Sequence, residues 1–361
     1  MPVTKLEIKS RIPFANGKVF NDAGAYEQLD GVAHFTVDPN HNANGTIADL
    51  ELAPRNADGL VEFSSDFRIL RPADPQLGNR RILLDVPNRG KPLALRNINS
   101  APEVTPDAPM DPGNGFLMRQ GYTVVWCAWQ HDVPDTPGML RVTVPDAVTA
   151  DGPISGNVVV TFQLNAPSRV EFLSSRNHRA YKASDVNEQA AVMTVQDHED
   201  APEQIIPRGE WSFARLENGN LVPDDSHVHL IPGFRPGKVY QVIYTTTGAP
   251  VVGLGNLATR DITTFLRYSS SKEGNPLASQ IDNAYSFGVS QSGRFLRLFL
   301  YLGLNRDEEG RIAFDGFIPH VAGGKMGEFN HRFAQPSSQA TRSGNSPVSY
   351  THLTLPTILL V

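Results

Sequence analysis

A serine at position 290 lies in a sequence context that suits a catalytic nucleophile. An apolar strand ending at Val289 leads into Gly-Val-Ser-Gln-Ser-Gly-Arg at 288–294, and a helical pattern starts at once. A serine at such a junction lies on a tight turn that exposes its hydroxyl above the sheet edge. The strand and the helix nearly touch there, so the positions two before and two after it must be small. Gly288 and Ser292 meet this need, with Ser292 in place of the second glycine of G-x-S-x-G.

The register of this turn can be tested within the sequence. Centring it on Ser292 would place the bulky Arg294 at a position that must be small. The register therefore predicts Ser290 as the nucleophile. The alternative is a serine that only caps the start of a helix, which is a common role. Arg294 and Arg297 follow on the same helix, where they either face solvent or contact a substrate.

Two backbone N–H groups are predicted to form an oxyanion hole. The first is that of Gln291, at a helix N-terminus whose dipole favours developing negative charge. The second is expected in the loop after the third strand of the sheet, which is the loop Pro-Asn-Arg-Gly-Lys at 87–91. Gly90 lets a backbone approach a ligand closely, so we assign the N–H of Arg89 or Gly90. An ordinary turn is the alternative interpretation of this loop.

Other polar residues follow predicted strands and are expected near the pocket. His131 and Asp132 come after the strand at 121–129, and His320 comes after the strand at 313–318, which places all three at the pocket rim. Enzymes with this turn carry their triad in the order serine, acid, histidine. His320 therefore comes too early to be the base, and loop packing is its favoured role. Asp315 and Glu328 are weak acid candidates for the same reason.

Composition narrows the class of protein. Hydrophobic residues make up 40% of the 361 residues, so a large buried core is expected, and the formal charge of −6 provides no basic field for nucleic acid or anionic membrane. The single cysteine, Cys127, is expected to be buried in a strand. The sequence shows no signal peptide and no membrane span. We expect a soluble, cytoplasmic protein with a small ester-like substrate, no nucleic-acid or membrane partner, no cofactor and no metal site.

Strand and helix patterns alternate in two parts of the chain. The predicted elements are strands at 33–37, 61–70, 81–86 and 121–129 with short helices at 91–99 and 116–120, then a strand at 239–245, a helix at 256–268, a strand at 284–289, a helix at 292–304 and a strand at 313–318. Such alternation predicts an α/β protein with a mostly parallel sheet and helices on both faces.

Residues 146–236 have a different pattern. Short strands at 158–164, 192–195, 211–216 and 227–231 are broken by polar, proline-bearing loops. We interpret this segment as a β-rich insertion that caps the active site; the alternative is that its strands extend the main sheet. The predicted organisation is N-terminal strands and the first part of the sheet at 1–145, the insertion at 146–236, the core with the serine turn at 237–347 and a separate tail at 348–361.

Several segments together resemble the bacterial "alpha/beta hydrolase domain-containing protein" family. They are Val-Pro-Asn-Arg-Gly at 86–90, Trp-Cys-Ala-Trp-Gln at 126–130, Ile-Pro-Arg at 206–208, Val-Gly-Leu-Gly at 252–255, Arg-Asp at 260–261, and longer runs at 286–297, 314–324 and 329–336. The resemblance covers about 25–336 and implies the α/β-hydrolase fold and hydrolase activity, but no substrate, because members are largely uncharacterised. It also implies a serine nucleophile at the position of Ser290, with the acid and the histidine well downstream.

The last residues suggest why those partners are missing. Residues 348–357 back-translate to the transposon mosaic-end adapter used in sequencing libraries. We therefore expect a natural sequence that ends near Pro347, after about the sixth strand of the sheet, and a non-native tail at 348–361. For this reason His352 is not assigned as the general base.

The predicted function is hydrolysis of a carboxylic ester through an acyl-Ser290 intermediate, without a cofactor. The chain as given is expected to be an inactive fragment, because it lacks the triad acid and histidine and triad loss costs on the order of a million-fold in rate. The alternatives are a catalytically dead hydrolase fold that serves as a binding module, and an acyltransferase or peptidase on the same fold. The sequence specifies neither the substrate nor the oligomeric state.

Overall fold

The computed structural model describes residues 2–103, 105, 108–198 and 200–338. The strands of this part are β1 (Val3–Pro13), β2 (Tyr26–Val37), β3 (Val61–Pro72), β4 (Arg81–Asp85), β5 (Thr123–Cys127), β6 (Val142–Thr143), β7 (Asp146–Thr149), β8 (Gly152–Pro153), β9 (Ser155–Gln163), β10 (Ser168–Phe172), β11 (Val192–Gln196), β12 (Gln204–Ile206), β13 (Trp211–Ser212), β14 (Ala214–Glu217), β15 (Asn220–Pro223), β16 (His227–Phe234), β17 (Val239–Thr247), β18 (Ala249–Pro250), β19 (Asn283–Val289) and β20 (Gly316–His320). Its α-helices are α1 (Ala94–Ile98), α2 (Phe116–Arg119), α3 (Leu254–Tyr268) and α4 (Gln291–Tyr301).

The main sheet has the strand order β1-β2-β3-β5-β4-β19-β20, with β6 beside β3. The first three strands form an antiparallel meander, and β3 is also antiparallel to β5. The pairs β5–β4, β4–β19 and β19–β20 are parallel. The sheet is therefore mixed, and the expectation of a mostly parallel sheet is wrong for its N-terminal half. The segments that join β1, β2 and β3 contain 3-10 helices but no α-helix, whereas parallel strands are usually joined through an α-helix.

The parallel half of the sheet forms the centre of the core. Ile82 and Leu84 of β4 and Val124 and Trp126 of β5 are fully buried. Near-continuous apolar runs of this kind are typical of strands covered on both faces. The sequence therefore predicted β4 and β5 nearly at their observed positions.

Helices connect the strands of the parallel half of the sheet. Such crossover connections are almost always right-handed. The connection from β4 through α1 and α2 to β5 runs in the opposite direction to those from β5 through α3 to β19 and from β19 through α4 to β20. Right-handed connections in opposite directions cover opposite faces of a sheet. Helix α4 packs on β19 and β20 through the buried side chains of Phe295, Leu296 and Phe299. Among the described residues, no helix is long and apolar enough to cross a membrane.

The β-rich segment has its own sheets and its own core. One sheet has the order β12-β11-β17-β9, a second has the order β10-β16-β13, and β14 and β15 form a hairpin. The side chains between them, among them Phe162, Met193, Trp211 and Tyr244, form a hydrophobic cluster separate from that of the main sheet. Strand β17 was expected to resume the strand–helix alternation, but it pairs with β9 and β11 instead. The division of the chain at 236/237 stays a prediction.

Candidate active site

The turn at Ser290 has the strained geometry that the sequence predicts. Ser290 has φ 57° and ψ −108°, a positive φ that non-glycine residues rarely adopt, and its side chain is exposed. Its N–H donates to the carbonyl of His320 at 2.9 Å, which ties the turn to the end of β20. Strain of this kind persists only where the surrounding structure fixes it, and it is frequent at functional sites.

The small residues around Ser290 are a steric requirement. A Cβ added at Gly288 would lie 2.6 Å from the carbonyl oxygen of Ser292, and one added at Gly293 would lie 2.9 Å from the carbonyl oxygen of His320. Ser292 itself is fully buried, and its hydroxyl has no partner among the described residues. The structure thus assigns Gly293 a specific contact with β20, which the spacing of the motif alone did not show.

The loop after β4 lies beside the turn, as the oxyanion prediction requires. Asn88 Nδ2 donates to the carbonyl of Val289 at 2.8 Å. Arg89 (φ 50°) and Gly90 (φ 81°) are the central residues of a turn closed by Asn88 and Lys91. The N–H of Arg89 donates to Gln291 Oε1 at 3.2 Å, whereas the N–H of Gly90 has no partner among the described residues. Of the two alternatives for the second oxyanion donor, the structure leaves the Gly90 N–H available.

The side chain of Gln291 holds three segments together, a role that sequence reasoning missed. It is buried, and its Nε2 donates to Gln130 Oε1 at 3.0 Å and to the carbonyl of Pro336 at 2.6 Å. Its Oε1 accepts the bond from the Arg89 N–H. Its backbone N–H is in the first turn of α4, where amides have no intrahelical partner. The sequence shows a long polar side chain directly after the serine, which is the signal that could have suggested this contact. That the side chain is buried is seen only in the structure.

The three residues predicted for the pocket rim lie elsewhere. The ring of His131 is buried and packs near Tyr181, and burial lowers the pKa of its imidazole. Asp132 is buried and accepts bonds from Gln130 Nε2 at 2.6 Å and from the N–H of Ser337 at 3.0 Å. His320 is exposed, with its ring stacked near Phe287, and only its carbonyl contacts the turn. None of the three side chains lines the cavity at Ser290.

The structure also shows the surroundings of the remaining candidates, Asp315, Glu328 and Cys127. Asp315 accepts a bond from the N–H of Ala284 at 2.8 Å and pairs with Arg267 at 3.0 Å, which are structural contacts. Glu328 lines the cavity, where one of its carboxylate oxygens accepts a bond from the N–H of Gln335 at 2.8 Å. Cys127 is fully buried, and burial raises the pKa of its thiol to about 12. That thiol is therefore protonated and inert at neutral pH.

A cavity of about 920 Å³ opens above Ser290. Its walls come from the loops after β4 and β5, from the segment after β10, from the start of α4 and from residues 326–329. The segment after β10 belongs to the β-rich part and contributes Arg176, Asn177 and His178. The β-rich part therefore forms one wall of the cavity at Ser290, and its role as a cap stays a prediction.

His178 is the one histidine among the described residues that line this cavity. Its Nδ1 lies 3.2 Å from the carbonyl of Arg176 and so carries the proton of that bond, while its buried Nε2 has no partner among the described residues. Burial is the main cause that lowers the pKa of this imidazole, and the charge of Arg89 lowers it further. The neutral ring presents an unused acceptor. No sequence pattern around position 178 predicts that this histidine lines the cavity, because only the fold of the β-rich part brings it to the cavity.

Residues 217–360 match the family model described as "Alpha/beta hydrolase domain". The match includes β19, the turn at Ser290 and α4, and it confirms the resemblance to this family that the sequence segments indicated. It extends into 348–360, a segment outside the described residues, whose predicted non-native origin stays a prediction. No curated protein and no solved structure matches the chain.

Proposed function

We propose that this chain is the nucleophile-bearing part of a serine hydrolase that cleaves a carboxylic ester through an acyl-Ser290 intermediate. The single observation that carries the proposal is the strained turn, with an exposed Ser290 hydroxyl at the start of α4 and below a cavity. A serine that only capped the helix would not need this geometry, and its side chain makes no capping bond. The matching hydrolase domain supports the same reaction class.

The proposed chemistry uses the Ser290 hydroxyl and two backbone N–H groups. Ser290 Oγ forms a bond to the acyl carbon, the bond from that carbon to the alcohol oxygen breaks, and the hydroxyl proton passes to the departing alkoxide. Water then cleaves the acyl-serine and restores the hydroxyl. The N–H groups of Gln291 and Gly90 would stabilise the oxyanion, and removing one such donor costs about 100- to 1000-fold in rate in other serine hydrolases.

The proton must be carried by a base. Among the described residues, no imidazole is hydrogen bonded to Ser290 Oγ. The family resemblance implies a histidine and an acid downstream of the described segments, and we keep that assignment as part of the proposal. A serine hydroxyl without such a base is a weak nucleophile at neutral pH.

A fluorophosphonate probe tests the nucleophile directly. We expect covalent labelling of the full-length protein that contains the downstream histidine and acid, with the modified peptide containing Ser290, and loss of labelling in Ser290→Ala. Ser292→Ala is the matched control, because it removes a buried hydroxyl two residues away and tests the rejected register. Labelling that survives Ser290→Ala, or that disappears in Ser292→Ala alone, would refute the assignment.

A binding module is the second candidate function. The observation that favours it is the absence, among the described residues, of an imidazole bonded to Ser290 Oγ. Such a module would not react with the fluorophosphonate even when fully folded, and it would not hydrolyse 4-nitrophenyl acetate. Labelling at Ser290 excludes it.

A further inference from the structure

Basic side chains are concentrated around the cavity at Ser290. Five of its lining residues are cationic, namely Arg89, Lys91, Arg96, Arg176 and Arg294, against two acidic ones, Glu103 and Glu328. Both acids already have partners, because Glu103 lies 3.9 Å from Arg96 and Glu328 accepts the Gln335 N–H. The whole chain has a net charge of −6, so the local positive excess is a property of this site.

Two of these cations, Arg89 and Arg294, donate hydrogen bonds to neutral acceptors. Arg89 donates to Asn88 Oδ1 at 3.1 Å and to the carbonyl of Ser337 at 3.5 Å, and its buried Nε has no partner among the described residues. Arg294 donates through Nε to the carbonyl of Ala322 at 3.0 Å. Within the described part of the chain, neither guanidinium is paired with a carboxylate. Their positive charges are therefore not neutralised by these contacts.

These charges also act on one another. Burial, the largest cause, lowers the pKa of Arg89 together with the nearby charges of Arg176 and Arg294, and with the opposing effect of Asp132 the pKa falls to about 10. Asp132 acts on Arg89 only through its charge, because its carboxylate oxygens bond to Gln130 Nε2 and to the Ser337 N–H rather than to the guanidinium. Three guanidinium groups from distant segments thus face the same space, an arrangement that an anion would stabilise.

We propose that this cluster binds an anionic group on the substrate, so that the enzyme's esters carry a carboxylate or a phosphate in addition to the ester bond. The inference rests on the proposed function, since it names the substrate class of the same site. Arg294 lies one helical turn beyond Ser290, with its N–H bonded to the Ser290 carbonyl at 3.0 Å. One turn rises about 5.4 Å, which suits an acid group a few carbon atoms from the ester carbonyl.

Equilibrium binding to the Ser290→Ala protein tests the inference without catalysis. Calorimetry would compare monomethyl glutarate, which has one free carboxylate, with the neutral dimethyl glutarate, and inorganic phosphate would be a third probe. We expect the half-ester to bind about 10- to 100-fold more tightly than the diester, because hydrogen bonds to charged groups are the strong ones. The preference should weaken as NaCl is raised. Tighter binding of phosphate than of the half-ester would assign the anion as a phosphate.

Arg294→Gln in the same background should reduce the preference to within about threefold. Arg297→Gln is the matched control, because Arg297 is on the same helix, outside the cavity lining, and bonds the carbonyl of Gly323. If Arg294→Gln does not fold, Lys91→Gln is the second variant. Equal affinities for half-ester and diester, with no phosphate binding, overturn the inference, and so does a preference that survives both cavity variants. If the Ser290→Ala protein shows no anion preference while the protein with Ser290 intact is labelled by the fluorophosphonate, this inference alone is rejected. An anion preference without labelling at Ser290 rejects the proposed function alone.

Discussion

Gly288→Ala tests whether the strand and the helix are as close as the serine turn requires. The added Cβ would lie 2.6 Å from the Ser292 carbonyl oxygen and 2.7 Å from its carbon. The first distance is about 0.8 Å shorter than an ordinary 3.4 Å contact. Both opposing atoms are backbone, so no side-chain rotation can relieve the overlap, and β19 and the start of α4 must separate.

The expected magnitude follows from this overlap. Overpacking in a tight site costs about 1–3 kcal/mol in the free energy of unfolding, which lowers the melting temperature by about 1–4 °C in a chain of this size. The separation also displaces Ser290, and a misplacement near 1 Å costs about 100-fold in rate. We therefore expect the fluorophosphonate labelling rate to fall about 10- to 100-fold.

Thermal unfolding followed by circular dichroism, together with timed labelling, measures both effects. Gly209→Ala is the matched control, because a Cβ there meets nothing within 4 Å and its φ is not in the positive range. This control should change stability by no more than about 0.5 kcal/mol. A Gly288→Ala protein that melts and labels like the control would show that the backbones are not in close contact, and the nucleophile turn would have to be abandoned.

Three further substitutions probe the structure around the site by chemical denaturation. Ser292→Ala removes a buried hydroxyl that has no described partner and should stabilise the protein by about 1 kcal/mol, whereas destabilisation would reveal an unseen bond. Arg260→Met leaves the buried Asp261 without its ion pair and should cost about 3–5 kcal/mol, and a neutral result would mean that Asp261 is protonated. Burial raises the pKa of Asp85 to about 7 from 3.8, so the native state holds a proton that the unfolded state releases. Stability should therefore fall as pH rises from about 4 to about 7, and Asp85→Asn should reduce that slope, whereas an unchanged slope would show that Asp85 is ionised in the native state.

Sequence reasoning could find the nucleophile turn because its requirements are local. The small residues at 288 and 292, the preceding apolar strand and the following helix all lie within a few residues, and steric exclusion leaves one register. The buried strands β4 and β5 were predicted for a similar reason, because a continuous apolar run reports burial on both faces. Residues 217–360, which include the serine turn, match an alpha/beta hydrolase domain, in agreement with these local signals.

Strand pairing depended on contacts between distant segments. The apolar pattern of β17 would fit the main sheet or a sheet of the β-rich part. It pairs with β9 and β11, where its side chains join the hydrophobic cluster of the β-rich part. The antiparallel pairing of β1, β2 and β3 is likewise a matter of contacts between segments, because their side-chain patterns do not specify the direction of the neighbouring strand. The sequence therefore determined where strands form, but not which neighbours they select.

The surroundings of the nucleophile were decided by tertiary structure. Arg89, Arg176 and Arg294 are separated by more than eighty residues in sequence, and no local pattern relates them. The same holds for the bond between the Arg89 N–H and the side chain of Gln291, which occupies one of the two N–H groups that the sequence predicts as oxyanion donors. By itself the sequence determined which serine lies on the strained turn, because sterics act over a few residues. Only the fold decided which charged side chains face that serine, because electrostatic interactions depend on distance in space and not on separation along the chain.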